Sequence, residues 1–201
     1  MPRDAEFEDK VVETAFSLAE EMPWASVSVS TIAEAMGRPL SDFYGLAPVS
    51  ELITAWLDRA CASEPVDETE SLRERLFDIA MLRFERMEDH RTGVMAWQDS
   101  WMRHPVRRAL AAKFRVKSAR WILTIAGEDA NALSKAKALV LSGILFRAEQ
   151  AWRKEDSPDF TRTMAQLDRD LRDVDGWVER LTNFSFRPAG KKKAAEETAA
   201  Y

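Results

Sequence analysis

Apolar side chains recur along this chain at spacings of three and four residues, the period of helices with one buried face. The pattern predicts short helices at residues 7–22, 30–36, 39–46 and 51–63. Longer ones are predicted at 72–90, 94–102, 105–127 and 133–152. From residue 160 to 181 the apolar positions alternate spacings of four and three, which predicts a helix that packs lengthwise on others. Glycine and proline are scarce, so the chain is predicted to be all-α.

Residues 28–52 have the pattern of a helix-turn-helix, two short helices joined by a tight turn. Ser28 is a suitable N-cap for the first helix. Gly37 follows that helix and can adopt the positive φ that a turn requires. Pro39 suits the first turn of the second helix, and Phe43 and Tyr44 are the large side chains available to anchor it.

The remainder of the chain divides by composition. Residues 64–69 are acidic, contain a proline and are predicted to be a hinge. We therefore expect a helix-turn-helix domain at residues 1–63 and a larger helical domain at 70–183. Residues 184–201 are polar and of low complexity and are predicted to be a disordered tail, in which the lysines at 191–193 most simply solvate the chain.

Composition bounds the function. The chain has 201 residues, 46% hydrophobic and 31% charged, with one cysteine and no apolar run long enough to span a membrane. We expect a cytoplasmic protein without a signal peptide. Its net charge is −5, and residues 1–60 hold four basic against eleven acidic residues, a net of −7. Phosphate neutralisation supplies most non-specific affinity for DNA, so any DNA contact must come from a few well-placed groups.

The segment at residues 32–37, the aromatic pair Phe43-Tyr44 and Pro48 before a new helix resemble the N-terminal domain of TetR/AcrR-type regulators. The resemblance extends over about residues 7–183. It implies a domain that binds double-stranded operator DNA as a homodimer, a central pocket for a small hydrophobic effector, and two final helices that form the dimer interface.

The resemblance also implies roles for individual residues. Matching positions depart from the family where Ala47 replaces a phenylalanine, Ser50 replaces a lysine, and Asp42 places a negative charge in the recognition helix. The implied DNA-binding residues are Ser28, Thr31, Arg38, Pro39, Leu40, Ser41, Tyr44 and Ser50. The implied dimer interface consists of Leu139, Ile144, Phe146, Phe160, Met164, Leu167, Leu171 and Val174.

The middle of the chain is dense in tryptophan, phenylalanine and methionine, which at helical spacing form a core more often than a pocket. The same side chains can line an adaptable cavity for an apolar ligand. The pocket hypothesis names Phe84, Trp97, Trp101, Phe114 and Trp121.

Other chemistries have little support. His90 and His104 have no Cys or carboxylate at ligand spacing, so no metal site is expected, and no cofactor is predicted. No nucleotide-binding loop or nucleophile elbow occurs, which argues against an enzyme. The basic cluster of Arg103, Arg107 and Arg108 favours a solvated face over a site for an acidic ligand. An alternative remains: residues 152–159, followed by Thr163 and Leu167-Asp168-Arg169, are similar to the end of a TetR-fold, lipid-binding accessory protein of ubiquinone biosynthesis that no longer binds DNA.

Overall fold

The computed structural model describes residues 4–102, 105–128 and 134–172. These residues contain eight α-helices and no strand, which confirms the prediction of an all-α chain for this part of it. The helices are α1 Ala5–Glu21, α2 Val29–Ala35, α3 Val49–Ala60, α4 Leu72–Glu88, α5 Arg91–Met102, α6 Pro105–Ile125, α7 Ser134–Trp152 and α8 Thr161–Leu171. Two short 3₁₀ helices lie at Trp24–Ser26 and Leu40–Phe43.

The turn after α2 has the geometry expected from Gly37. The hydroxyl of Ser28 accepts from the backbone N–H of Thr31, and the Thr31 hydroxyl accepts from that of Ser28, which closes a capping box at the start of α2. At the other end Gly37 has φ +62°. The backbone N–H of Arg38 then donates to the carbonyl of Ala33 at 3.0 Å, a Schellman-type ending that reverses the chain.

The second helix of the helix-turn-helix is shorter than the sequence predicts. A helix was expected over residues 39–46, but the structure has a 3₁₀ helix at Leu40–Phe43. Pro39 precedes it in an extended conformation, and Tyr44 after it is also extended. Gly45 then has φ +73°, so a continuous helix stops there. α3 begins at Val49 with Pro48 as its N-cap, two residues before the start at residue 51 that Ser50 as N-cap implies.

α1 joins the N-terminal helices to the rest of the molecule through an aromatic cluster. Phe16 of α1 lies 5.6 Å from the ring of Trp56 in α3 and 5.7 Å from that of His90, between α4 and α5. Gly93 of α5 packs directly on Phe16. The two domains expected from the sequence therefore share one continuous hydrophobic core.

The larger bundle consists of α4–α8, with α7 packed along both α6 and α8. Arg91, the first residue of α5, donates to the backbone carbonyls of Trp152 and Glu155 at 2.9 and 3.0 Å, so it closes the end of α7. Glu155 in turn accepts from the backbone N–H of Thr163 at 2.9 Å and caps α8. The sequence places the cap of this helix at Ser157, whereas the structure has Phe160 there, with φ +53°.

Several sequence predictions fall outside the described residues: the end of the last helix with Val174, the tail at 184–201, and His104. Within the described ranges, no helix is both long enough and apolar enough to cross a membrane.

Candidate functional site

The 3₁₀ helix of the N-terminal domain presents apolar side chains to solvent. Tyr44 is 93% exposed and Leu40 is 58% exposed, while Pro39 and Ser41 between and beside them are exposed as well. Phe43 faces the opposite way, is buried, and lies 5.4 Å from the Phe7 ring of α1. One buried aromatic residue thus holds the segment on the core and leaves the others free to meet a partner.

Arg38, the single basic residue near the turn, already has partners within the domain. Its guanidinium forms an ion pair of 3.0 Å with Asp42, one turn further on. The same group lies over the ring of Phe7, 5.2 Å from its centroid. Arg38 is half-exposed, so it can reach a phosphate only by leaving or sharing Asp42.

The hydroxyl groups at the start of α2 are also in use. Ser28 and Thr31 bond to each other's backbone N–H groups, and the Ser28 hydroxyl lies 2.8 Å from that of Ser30. The backbone N–H groups of Ser28 and Thr31 are therefore satisfied by the chain itself. Each of the two hydroxyl oxygens keeps a second lone pair for an outside donor.

Ser50 lies elsewhere. Its side chain lines an internal cavity, and its hydroxyl accepts from the indole N–H of Trp97 at 3.4 Å. The structure thus groups seven of the eight sequence-predicted DNA-binding residues around the helix-turn-helix and separates Ser50 from them. Ser50 instead connects the first turn of α3 to α5.

The cavity has a volume of about 310 Å³ and lies between α3, α4, α5, α6 and α7. That volume is at the lower end of the range of about 300–1,000 Å³ for small-molecule sites. The rings of Trp97 and Trp101 meet edge to face on one wall, with centroids 6.0 Å apart. The apolar lining residues are Trp24, Leu57, Met87, Trp97, Trp101, Leu110, Ala111 and Phe114.

Of the five residues in the pocket hypothesis, the structure brings three to the cavity: Trp97, Trp101 and Phe114. Phe84 is fully buried in the core and does not line it. Trp121 is largely exposed, and its indole N–H donates to the backbone carbonyl of Asp58 at 2.8 Å. Trp121 therefore ties α6 to α3 outside the cavity.

The cavity wall also holds buried charges. Glu149 of α7 accepts from Nη2 of Arg115 at 2.9 Å, and its other oxygen lies 3.6 Å from Nη2 of Arg83. Arg83 and Glu149 are buried, and the side chain of Arg115 is 12% exposed. Arg115 is further held between two rings, 5.5 Å from the centroid of Trp101 and 4.9 Å from that of Phe146.

Asp58 lies on the far side of Arg83, with 3.9 Å between its Oδ1 and Nη1 of the guanidinium. Burial raises the pKa of Asp58, against the opposing attraction of Arg83. Burial likewise raises the pKa of the nearby Cys61 thiol to about 11, so that thiol stays protonated and unreactive at neutral pH.

Comparisons with known proteins find solved structures that are similar to this chain. The crystal structure of the TetR transcriptional regulator from Nitrosomonas europaea superposes with a TM-score of 0.66, at 21% sequence identity, covering 85% of this chain and 99% of the other. The chain has a TetR-type fold. No family model matches the sequence. No curated protein matches it either.

The residues expected at the dimer interface of this TetR-type chain divide into two sets. Leu139 and Phe146 on α7 and Met164 on α8 are exposed, and Phe160 is half-buried before α8. The remaining described members are buried inside the chain: Ile144, Leu167 and Leu171. The exposed set is available for a second subunit, whereas the buried set packs α7 and α8 together.

The buried charges are what the sequence prediction of the TetR-type pocket lacked. Arg83 falls on the apolar stripe of α4, between Ala80 and Phe84, and Glu149 has the corresponding position beside Ala148 on α7. A charged residue at an apolar position of a helix is costly to bury and for that reason often functional. This departure from the pattern is visible in the sequence.

Proposed function

We propose that this protein is a cytoplasmic, homodimeric DNA-binding transcriptional regulator controlled by a small, largely apolar effector. The observation that carries the proposal is the exposure of Leu40, on the 3₁₀ helix of the helix-turn-helix, and of Tyr44 directly after it. Large apolar side chains on a small, well-packed domain mark a surface for a partner. In a helix-turn-helix that surface enters the major groove, where leucine and tyrosine can meet thymine methyl groups and the backbone.

The second support is the position of the cavity relative to that surface. Ser50 and Leu57 of α3 line the cavity, and α3 directly follows the helix-turn-helix. Trp97 on the opposite wall donates to Ser50. An effector that displaces the Trp97 ring moves the start of α3 and with it the recognition segment. A coupling of about 1–3 kcal/mol is sufficient for an effector-controlled regulator.

The experiment is an electrophoretic mobility shift with the DNA upstream of the protein's own gene, at low and moderate salt. The L40A/Y44A double variant should lose specific retardation while keeping the helical circular dichroism spectrum. Val106→Ala is the matched control, because Val106 is also exposed but lies on α6. Because the helix-turn-helix has few unpaired basic side chains, its affinity for DNA should depend only weakly on the salt concentration.

Dimerisation needs its own measurement. Two recognition segments must lie about 34–36 Å apart to enter successive major grooves. The exposed side chains of Leu139 and Phe146 on α7 are the surface proposed for the second subunit. Light scattering of the purified protein should give twice the mass of the chain, and L139E should give the monomer. A monomeric wild-type protein would refute the half-site arrangement.

One observation favours a second candidate. The pairing of Arg38 with Asp42 leaves the helix-turn-helix with little free positive charge, as in a TetR-type protein that binds a lipid and no longer binds DNA. The residues on which this chain's similarity to that accessory family rests have structural roles: Glu155 caps α8, and Asp168 pairs with Arg73 and Arg172. Absence of DNA retardation, together with a co-purified isoprenoid or fatty compound, would select this function.

A further inference from the structure

The cavity wall carries more positive than negative charge. Three guanidinium groups line it, those of Arg83, Arg107 and Arg115, against the single carboxylate of Glu149. Asp58 also approaches Arg83 but does not line the cavity. Arg107 is exposed and partly screened by solvent, whereas Arg83 and Arg115 lie inside, where screening is weak. Among the weakly screened groups that line the cavity, two guanidinium groups thus meet one carboxylate, so the lining favours a negative group.

Donors in this wall lack acceptors. Arg83 is only 5% exposed, and its Nε and Nη1 have no hydrogen-bond partner in the part of the chain that the structure describes. The same is true of Nε of Arg115 and of the indole N–H of Trp101. A buried donor without an acceptor costs about 1–3 kcal/mol, more if charged. Arg83 Nη1 faces Asp58 Oδ1, which also lacks a hydrogen-bond partner, at 3.9 Å. The other three donors, one on each of three neighbouring side chains of the cavity, point to an acceptor that the described residues do not supply.

The apolar part of the wall determines what kind of uncharged group the ligand can have. Trp97, Phe114, Leu110 and Met87 offer aromatic and aliphatic surface. Two polar side chains of the wall are already paired, since Gln98 accepts from Arg153 at 2.9 Å and Ser50 accepts from Trp97. A cavity of about 310 Å³ holds a small molecule and excludes bulky nucleotide conjugates.

We propose that the cavity binds a small organic acid whose single carboxylate lies against Arg83, Arg115 and Trp101 and whose aromatic or aliphatic body packs among Trp97, Phe114 and Leu110. This inference rests on the proposed effector-controlled function and names the chemistry of the effector. A carboxylate offers two oxygens that accept several hydrogen bonds, which matches the unused donors. A dianion such as a phosphate monoester is disfavoured, because Glu149 borders the same position and repels a second negative charge.

The test compares acids with neutral molecules of the same shape on the full-length protein at pH 7.4. Two pairs of an acid and its neutral counterpart are used: decanoic acid with 1-decanol, and 2-naphthoic acid with 2-naphthamide. Binding of each compound is measured by isothermal titration calorimetry. At least one acid should bind tenfold or more tightly than its neutral counterpart. Equal affinity within both pairs, or no binding of either acid, would overturn the inference.

Variants separate a direct contact from a structural effect. Trp101→Phe removes the indole N–H together with one ring of the side chain, so the acid and its neutral counterpart are compared within the variant, and the ratio of their affinities should fall severalfold. Trp121→Phe is the matched control, because its indole lies outside the cavity, and it should retain the full preference. Arg83→Gln should abolish the preference. Since that change leaves Asp58 without its ion pair and Glu149 with Arg115 alone, its unfolding is measured alongside, and Trp101→Phe decides if it fails to fold.

The outcome is independent of DNA binding. An acid that binds selectively to a protein that retards no DNA would refute the regulator and retain the acid site. Specific DNA binding released by a neutral apolar compound, with neither acid bound, would retain the regulator and refute the acid site.

Discussion

Gly93 of α5 leaves no room for a side chain beside Phe16 of α1. A Cβ on Gly93 would lie 2.6 Å from the Cβ of Phe16 and 2.7 Å from its Cα and carbonyl oxygen. Two of these three atoms are backbone, so they yield only if a helix moves. α5 carries Trp97 and Trp101 of the cavity, and α1 carries the packing surface of the helix-turn-helix. A shift of α5 would therefore displace α1 at this contact.

Gly93→Ala should separate α1 from α5. Overpacking of this kind costs about 1–3 kcal/mol in the free energy of unfolding, measured by urea denaturation. The same variant should weaken DNA retardation, because the N-terminal domain is displaced. Gly143→Ala on α7 is the control: its Cβ would meet nothing nearer than Arg147 Nη1 at 3.9 Å, so it should stabilise the helix by about 0.5–1 kcal/mol. Equal effects of the two changes would show that the contact with Phe16 is not tight.

Asp42→Asn should strengthen DNA binding if the helix-turn-helix binds DNA. The change removes a negative charge from the recognition segment and frees the guanidinium of Arg38. The slope of log affinity against log salt should become steeper by about 0.9, the value for one added phosphate contact. Stability should change by less than about 1 kcal/mol, because the pair is exposed.

Glu85→Gln on α4 is the control for Asp42→Asn, since it removes one exposed negative charge away from the recognition segment. An equal gain in both variants would assign the effect to net charge alone.

Glu155 makes the stability of α8 depend on pH. Burial by itself would raise the pKa of this carboxyl, but hydrogen bonds from Thr163 and Ser157 together hold the pKa below its usual 4.5. The stabilisation is therefore present above about pH 4.5, the value in the unfolded chain, and is lost as pH falls through the lower folded value. Urea denaturation of the wild type between pH 7 and 3.5 should show this loss.

Glu155→Gln should lower the free energy of unfolding at pH 7 by about 0.5–2 kcal/mol, the size of a lost helix cap, and flatten its dependence on pH. Asp156→Asn is the neighbouring control: Asp156 is exposed and makes only a 3.7 Å pair with Arg162. A flat pH profile of the wild type would contradict the capping role of Glu155.

Arg91→Lys should destabilise the junction of α5 and α7 by about 1–3 kcal/mol, the value for hydrogen bonds to a charged group. Arginine here donates to two carbonyls and to Glu88 while it lies 4.8 Å over the ring of Trp152. Lysine keeps the charge but cannot make this planar fork. Arg172→Lys, at an exposed pair with Asp168, should change the melting temperature little. No loss on Arg91→Lys would mean that charge, not geometry, matters at residue 91.

Helices were predictable because their apolar spacing is local information. The boundaries of α4, α7 and α2 differ from the sequence prediction by one or two residues at most ends. The length of the recognition segment was not predictable in this way, because it depends on backbone torsions at Tyr44 and Gly45. Trp97, Trp101 and Phe114 were found from composition, because an apolar cavity needs such side chains.

The cavity position of Ser50 depends on how closely α5 approaches the N-terminal helices, which Gly93 and Phe16 decide from 77 positions apart in the chain. No local pattern contains that distance. Resemblance placed Ser50 on the DNA side because the aligned residue in related regulators is a lysine. A shorter hydroxyl side chain at the same helix position meets the indole of Trp97 instead.

The ion pair between Arg38 and Asp42 has a consequence for how such a regulator would search the genome. Because Arg38, the basic residue nearest the turn, is neutralised by Asp42 and lies over the ring of Phe7, the attraction of the domain to DNA of unrelated sequence is small. The protein would then spend little time sliding on unrelated sequences and would reach its operator mainly by three-dimensional diffusion. Few copies would be sequestered by the many competing sites of a chromosome, so a low cellular abundance would suffice for occupancy.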